Sequence, residues 1–341
     1  MFPKFSYGGF GVLIAALLLA RFSAAAEPER FSQTQPHMGV EFEVIVYAVD
    51  DSAAKNAIAA AFQRIAELDK KLSDYSLTSE LSLLSGASPT AEPVKLSDDL
   101  FTVLHAAQLM AVESDGAFDV TIGPLTKLWR RARRQKELPD AELLKQAFAA
   151  VGHRNLVVDS RATTALLKKP GMRLDLGAIA KGFAADEALA VLQKQGFKQA
   201  LVRASGDIAA GEPPPQESGW KVGLAPLNPD DPPTVFVSLR NQAVSTSGEA
   251  RQHLVVNGKR YSHLIDPRTG QPTTGRTSVT VIGPRGIDTD SLDSAIAILG
   301  PEKGLKLIAG RKDTHAYIVT ADDDGGNVRT LMSPGFPHVQ D

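Results

Sequence analysis

The 341-residue sequence contains no cysteine. Disulfides, thiolate metal sites, iron–sulfur clusters, a cysteine nucleophile and a lipid-modified N-terminal cysteine are therefore excluded. It also lacks an excess of one charge sign. The 37 Lys and Arg stand against 39 Asp and Glu, a formal net charge of −2. That balance gives no global pull toward nucleic acid, and no nucleic-acid partner is expected. Long hydrophobic runs are missing too. In MFPKFSYGGFGVLIAALLLARFSAAAE the apolar stretch Phe10 to Ala20 is cut off by Arg21, well short of the roughly 20 residues that span a bilayer. With Lys4 before it and Ala24-Ala25-Ala26 after it, the stretch has the anatomy of a secretory signal cleaved before Glu27. Residues 1–26 are read as a signal peptide and the chain as exported, to a periplasm. The rival is an uncleaved signal holding the chain at the inner membrane.

The sequence as a whole has the composition of ordinary globular material, 43% hydrophobic and 22% charged, which excludes collagen-like, wholly disordered and multi-span membrane classes. The length suits one large domain or two intimate ones. No long linker or short-period repeat divides it, so residues 27–341 are read as one domain. Strands are expected over 38–48, 155–159, 172–174, 200–203, 220–224, 235–239, 243–246, 253–256, 261–265 and 278–282. A closing hairpin is expected from 316–320 and 328–332, turned at 322–327. Helices are expected over 52–72, from a Ser97 cap through Met110, from Pro139 to near Gly152, over an Ala-rich 177–196, and over 290–299 and 301–309. The order lacks the strict alternation of a doubly wound sheet, and α+β is the expected fold class.

Four segments have chemistry to offer. Asp175-Leu-Gly-Ala-Ile-Ala-Lys181-Gly182 opens the Ala-rich helix. Its small residues let an anion approach the helix N-terminus, or else serve close helix packing. Asp290, Asp293 and Ser294 are spaced i, i+3, i+4 and face one point. They are hard oxygen ligands suited to Mg²⁺, or ordinary helix-capping residues. His263, before the Asp266-Pro267-Arg268-Thr269-Gly270 turn, is either a base or a structural histidine. Lys127 to Lys136 (KLWRRARRQK) carries six basic residues in ten. It reads as a solvated loop, or as a contact for an acidic partner. No dinucleotide fingerprint or nucleophile elbow is present.

In this order the motifs resemble those of the ApbE family of FAD:protein FMN transferases. The pieces that carry the resemblance are Asp115-Gly-Ala-Phe-Asp119 with Gly123-Pro124-Leu125, Asp175–Gly182, Thr246-Ser247-Gly248, Ser262 to Gly270, and Asp290–Leu299. The resemblance runs from about Met38 to Gly335. It implies an α+β, tunnelling-like fold of two similar, closely packed halves. It implies Mg²⁺-dependent transfer of FMN from FAD to a threonine of an exported or membrane-anchored FMN-carrying redox protein, with release of AMP. An FAD pyrophosphatase and a non-catalytic exported FAD binder are the alternatives.

Carried over residue by residue, the resemblance assigns flavin contacts to Met38 and Tyr75 and the adenosine end of FAD to Ala117, Phe118 and Asp119. Asp175 and Lys181 become FAD-binding positions. Asp290, Asp293, Ser294 and the Ala178 carbonyl become the metal site. His263 is implied beside FAD, with His263 or Asp290 as the group that takes the acceptor's proton. Three departures stand out. Ser294 replaces the usual threonine. Ser205-Gly206-Asp207 replaces a Gly-Gly-Asn, adding a negative charge. The basic run at 127–136 has no inherited role.

Overall fold

Met38 and Gly39 both take left-handed backbone, with φ of 49° and 75°. Two such residues in succession form the two-residue hairpin turn whose twist matches that of paired strands. They join β1 (Glu29–His37) to β2 (Val40–Ala48), with His37 opposite Val40. The strand expected over 38–48 therefore starts at Val40, and Met38 sits on a hairpin tip. The structure, a computed structural model, describes residues 1, 3, 27–228, 230–248, 253–322 and 326–337. All but two residues of the expected signal peptide, and part of the 322–327 turn, lie outside the described residues.

Helix α1 (Asp51–Leu72) begins where the Asp50 carboxylate accepts the Ala53 N–H at 2.7 Å, a standard N-cap. Ala54, Ile58, Phe62, Ile65, Leu68 and Leu72 form its buried stripe. Then come α2 (Glu80–Gly86), β3 (Val94–Lys95) and α3 (Asp98–Glu113), the last capped by Ser97 as expected. Next are α4 (Gly123–Gln135), α5 (Ala141–Ala149), β4 (Leu156–Asp159) and β5 (Thr164–Leu167). After α6 (Ala180–Lys194) follow β6 (Ala200–Ala204), β7 (Asp207–Ala210), β8 (Trp220–Gly223), β9 (Phe236–Leu239) and β10 (Gln242–Gly248). Short strands β11 (His253–Val256), β12 (Lys259–Ser262), β13 (Ile265–Asp266) and β14 (Gln271–Pro272) lead to β15 (Arg276–Gly283). Helices α7 (Gly286–Leu299) and α8 (Pro301–Ile308) precede β16 (His315–Ala321) and β17 (Arg329–Met332).

An antiparallel eight-stranded sheet runs β1-β2-β6-β7-β10-β15-β16-β17. Each four-strand half is built as two strands, a pair of helices, then two strands. Helices α1 and α6 belong to the first half, α7 and α8 to the second, and β7 pairs with β10 at the junction. The fold is α+β, and its two halves repeat one order of elements. The main core lies between the sheet and these helices. On the opposite face, Trp220, Val237 and Leu239 from the β8–β9 hairpin pack on Ile45, Leu201, Val244 and Ile282.

Several expectations shift. Residues 172–174 form no strand, only a bridge between Ile122 and Arg173. The strand expected over 261–265 breaks at His263, between β12 and β13. Helix α6 starts at Ala180, leaving Gly177–Ile179 as a turn before it, and α7 starts at Gly286, four residues ahead of Asp290. The basic run is no loop. It lies in α4, where Leu125, Trp129 and Ala132, spaced i, i+4, i+7, are buried against Val151, Leu254 and Ile265.

Candidate active site

A cavity of about 400 Å³ opens between the two halves. The β1–β2 tip brings Met38, and the segment after α1 brings Tyr75. Ala117, Phe118 and Asp119 come from the chain before α4, and Asp175 and Ala178 from the turn ahead of α6. Lys181 comes from α6, His263 from the break after β12, and Asp290, Asp293 and Ser294 from α7. All twelve residues expected from the sequence thus line one cavity, from segments up to 256 residues apart in the chain.

At its floor, Asp207, Asp290 and Asp293 each present a carboxylate oxygen within 4.8 Å of the others. Lys181 Nζ lies 2.6 Å from Asp207 Oδ2 and 3.1 Å from Asp290 Oδ1. The other Asp290 oxygen accepts the Gly182 N–H at 2.9 Å, so this carboxylate caps the start of α6. A free N–H there, expected from the sequence to meet an anion, is already taken. Asp293 Oδ1 is buried and, among the described residues, has no hydrogen-bond partner.

Burial, with Asp207 next to it, pushes the Asp290 carboxyl up to about 7 against the pull of Lys181. Burial and the charges of Asp290 and Asp207 hold Asp293 well above the usual carboxylate range. Burial works against the Lys181 ammonium, but Asp207 and Asp290 outweigh it and raise its pKa above the ordinary lysine value. Three carboxylates against one ammonium leave two negative charges when all are ionised. With an orphaned buried oxygen and the Ser294 hydroxyl beside them, the donors suit a hard divalent cation.

The position of α7 is set by close contacts. The Asp186 carboxylate accepts the N–H groups of Gly286 at 2.7 Å and Ile287 at 3.0 Å, capping α7 from α6. Burial lifts this carboxyl to about 6. Helices α6 and α7 approach so closely that a Cβ on Gly182 would lie only 2.8 Å from Asp290 Cβ and would overlap the Gly286 carbonyl.

The opposite wall carries residues that the sequence reading left aside. Arg130 pairs with Asp74 and, at 2.9 Å, with Asp175 Oδ2. Its guanidinium carbon stands 4.8 Å from the centre of the largely exposed Tyr75 ring. Arg133, one turn on, also lines the cavity. Asp175 spends its second oxygen on the Gly177 N–H at 2.9 Å. Asp119 is turned inward, its Oδ1 accepting the Thr121 N–H and hydroxyl at 2.8 and 2.7 Å. Asp207 is the other missed residue. It is visible in the sequence as a departure, but only strand pairing shows that it meets Asp290.

The order of elements and the cavity can be compared with known proteins. The ApbE family profile matches residues 38–318. A protein named FAD:protein FMN transferase from Klebsiella pneumoniae (strain 342) is 29% identical over 336 residues, covering 95% of each chain. One of the same name from Treponema pallidum (strain Nichols) is 31% identical, covering 93% of this chain and 92% of the other. The solved structure described as flavin transferase ApbE from Vibrio cholerae aligns with a TM-score of 0.80 at 27% identity, covering 91% of this chain and 98% of that one. The profile runs from the first hairpin tip through the carboxylate cluster into β16, and the shared fold extends over the same cavity, so this chain belongs to the ApbE family.

Proposed function

We propose that this chain is an exported FAD:protein FMN transferase. It moves FMN from FAD to a threonine hydroxyl of an exported or membrane-anchored redox protein. The threonine Oγ forms a bond to the FMN-side phosphorus and the bond from that phosphorus to the AMP oxygen breaks. The threonine proton leaves through a protein base, and AMP departs. The observation that carries this reading is the buried carboxylate cluster, with its orphaned Asp293 oxygen, facing a cavity whose walls bear all the flavin-site matches.

Asp290, Asp293, Asp207 and the Ser294 hydroxyl, with the Ala178 carbonyl, are the groups that would hold Mg²⁺. When bound, that ion neutralises charge on the pyrophosphate oxygens. The chain's own residues do the rest. Lys181 keeps Asp207 and Asp290 oriented. Met38 and Tyr75 would take the flavin ring, and Ala117 to Asp119 the adenosine end. His263 is the base we assign to the acceptor hydroxyl, as proton removal by a positioned imidazole contributes about 10²–10⁴-fold. Transfer of this kind depends mainly on holding the two oxygens in line.

The test uses FAD and Mg²⁺, with and without an FMN-carrying acceptor domain and its threonine-to-alanine variant, reading AMP and the intact acceptor mass. An FMN-sized mass gain that needs metal and threonine supports the transferase. AMP and FMN with no mass gain would make the chain a pyrophosphatase. FAD binding without AMP would make it a flavin binder.

A further inference from the structure

Helix α4 is the basic run that the cavity only partly absorbs. Its buried stripe of Leu125, Trp129 and Ala132 fixes the rotation of the helix. Arg130 and Arg133 then fall at the cavity wall, while Lys127, Arg131 and Arg134 are exposed. These last three are spaced i, i+4, i+7, so they share one outward face. Around the helix the five cations make a continuous arc that starts inside the cavity and ends on the open surface.

The arc is not neutralised. Arg130 is paired with Asp74 and Asp175. Among the described residues, Arg131 makes only a hydrogen bond to Gln135, at 3.0 Å. Among the described residues Lys127, Arg133 and Arg134 form no ion pair. A one-sided basic face on a chain of net charge −2 is a local feature rather than a reflection of composition. Its cost is mutual repulsion, and an anionic partner would relieve it.

We propose that this face of α4 docks an acidic segment of the acceptor protein and guides its threonine to the cavity mouth. The proposal rests on the transferase reading, which requires a protein to reach this cavity, and gives that protein a charge. Continuity with the cavity favours a protein segment over a lipid surface. The arc leads inward to Arg133, whereas a membrane would be met by the outward face alone. Lys127, Arg131 and Arg134 speed and orient the encounter without touching FAD.

The test needs no turnover. A labelled threonine peptide flanked by Asp and Glu is compared with its Asn/Gln isostere by fluorescence anisotropy, on wild type and on Lys127→Gln/Arg131→Gln/Arg134→Gln. Glutamine keeps helix propensity, so the variant should fold, which unchanged FAD quenching of flavin fluorescence would verify. The acidic peptide should bind wild type roughly tenfold more tightly than the isostere at low salt, the sum of three screened surface charges. That margin should close in high salt and in the variant. Equal binding of the two peptides to wild type, or a margin that survives in the variant, would overturn the proposal. So would a variant that loses only its binding to phosphatidylglycerol vesicles, because the face would then be a membrane contact. Should wild type show the peptide margin yet release no AMP from FAD, the transferase reading fails and the basic face of α4 stands as a docking site for acidic segments.

Discussion

The Asp290 carboxylate accepts the Gly182 N–H at 2.9 Å, tying the second turn of α7 to the first turn of α6. One residue from each half of the fold therefore fixes the distance between α7, which carries Asp290 and Asp293, and α6, which carries Lys181. Gly182→Ala would place a methyl against the Gly286 carbonyl and Asp290 Cβ. Both are held by helix backbone, so the helices must part. The expected cost is about 1–3 kcal/mol of stability, with a loss of divalent-cation affinity larger than the loss of stability explains. Thermal unfolding with and without Mg²⁺ would check this. An alanine variant with unchanged metal response would show that the helix spacing does not matter.

Asp293 gives a cleaner test of the metal site. Its carboxyl is held well above the usual range by burial and by Asp290 and Asp207. Without a cation its charged form is therefore disfavoured, and asparagine removes that charge while keeping the shape of the side chain. Asp293→Asn should leave metal-free stability nearly unchanged. Wild type should gain about 2.7 kcal/mol at a metal concentration a hundred times the dissociation constant, and the variant should gain none. Calorimetric unfolding at matched Mg²⁺ would decide it. A variant that kept the full gain would remove Asp293 from the site.

The same burial sets a pH dependence. Asp290 titrates near 7 in the folded chain and Asp186 near 6, both above the unfolded value near 4. The folded state then holds more protons between those limits, so metal-free stability falls as pH rises from about 4 to about 7. Cation binding runs the other way because it requires ionised carboxylates. Affinity for Mg²⁺ should rise by about tenfold or more between about pH 6 and pH 8. Isothermal titration in buffers of different ionisation enthalpy would also show protons released on binding. Affinity independent of pH would contradict the assignment.

His263 sits in the break between β12 and β13, at the cavity wall, and is not a member of the three-carboxylate cluster. His263→Ala should lower flavin transfer to the acceptor by about a hundredfold while FAD affinity and metal response stay within a few-fold. Single-turnover measurements with saturating acceptor separate the two effects. A variant with wild-type transfer would pass the base role to Asp290.

How much of this is legible in the sequence differs from element to element. Helices α1 and α3 announce themselves through an apolar stripe of period 3.6, and α3 also through its Ser97 cap. Strand β1 does not, because ERFSQTQPH is a polar, mostly exposed edge strand whose partner supplies the core. Helix α4 is hidden because arginine crowds the count of apolar residues, yet Leu125, Trp129 and Ala132 already carry the helical spacing. Periodicity alone leaves the site nearly invisible. Asp290, Asp293 and Ser294 pass for helix capping, and only the family resemblance joins them to Met38 and Tyr75. Asp207 stands 83 residues from Asp290, and no local pattern encodes their meeting. It follows from β6 and β7 turning at Ser205 and Gly206 beside the start of α6.

Arg130 is where that hidden helix meets the expected site, and it supports one more expectation. It stands between Asp74 and the buried Asp175 and over the Tyr75 ring. Burial and the nearby Asp175 already push the Asp74 carboxyl up. Arg130→Ala would leave these carboxylates facing each other and free the ring. Removing one partner of a half-buried pair should cost about 1–3 kcal/mol, below the 3–5 of a fully buried one. The loss should be greater at higher pH, where the Asp74 carboxyl, already pushed up, gives up its proton. FAD affinity should fall about tenfold as Tyr75 and Asp175 lose their fixed positions. Arg130→Lys keeps the charge but not the planar fork that spans two carboxylates. It should recover most of the stability and little of the FAD affinity. Flavin-quenching titrations and thermal unfolding across the pH range would separate these outcomes. FAD affinity fully restored by lysine would mean that Arg130 acts through charge alone.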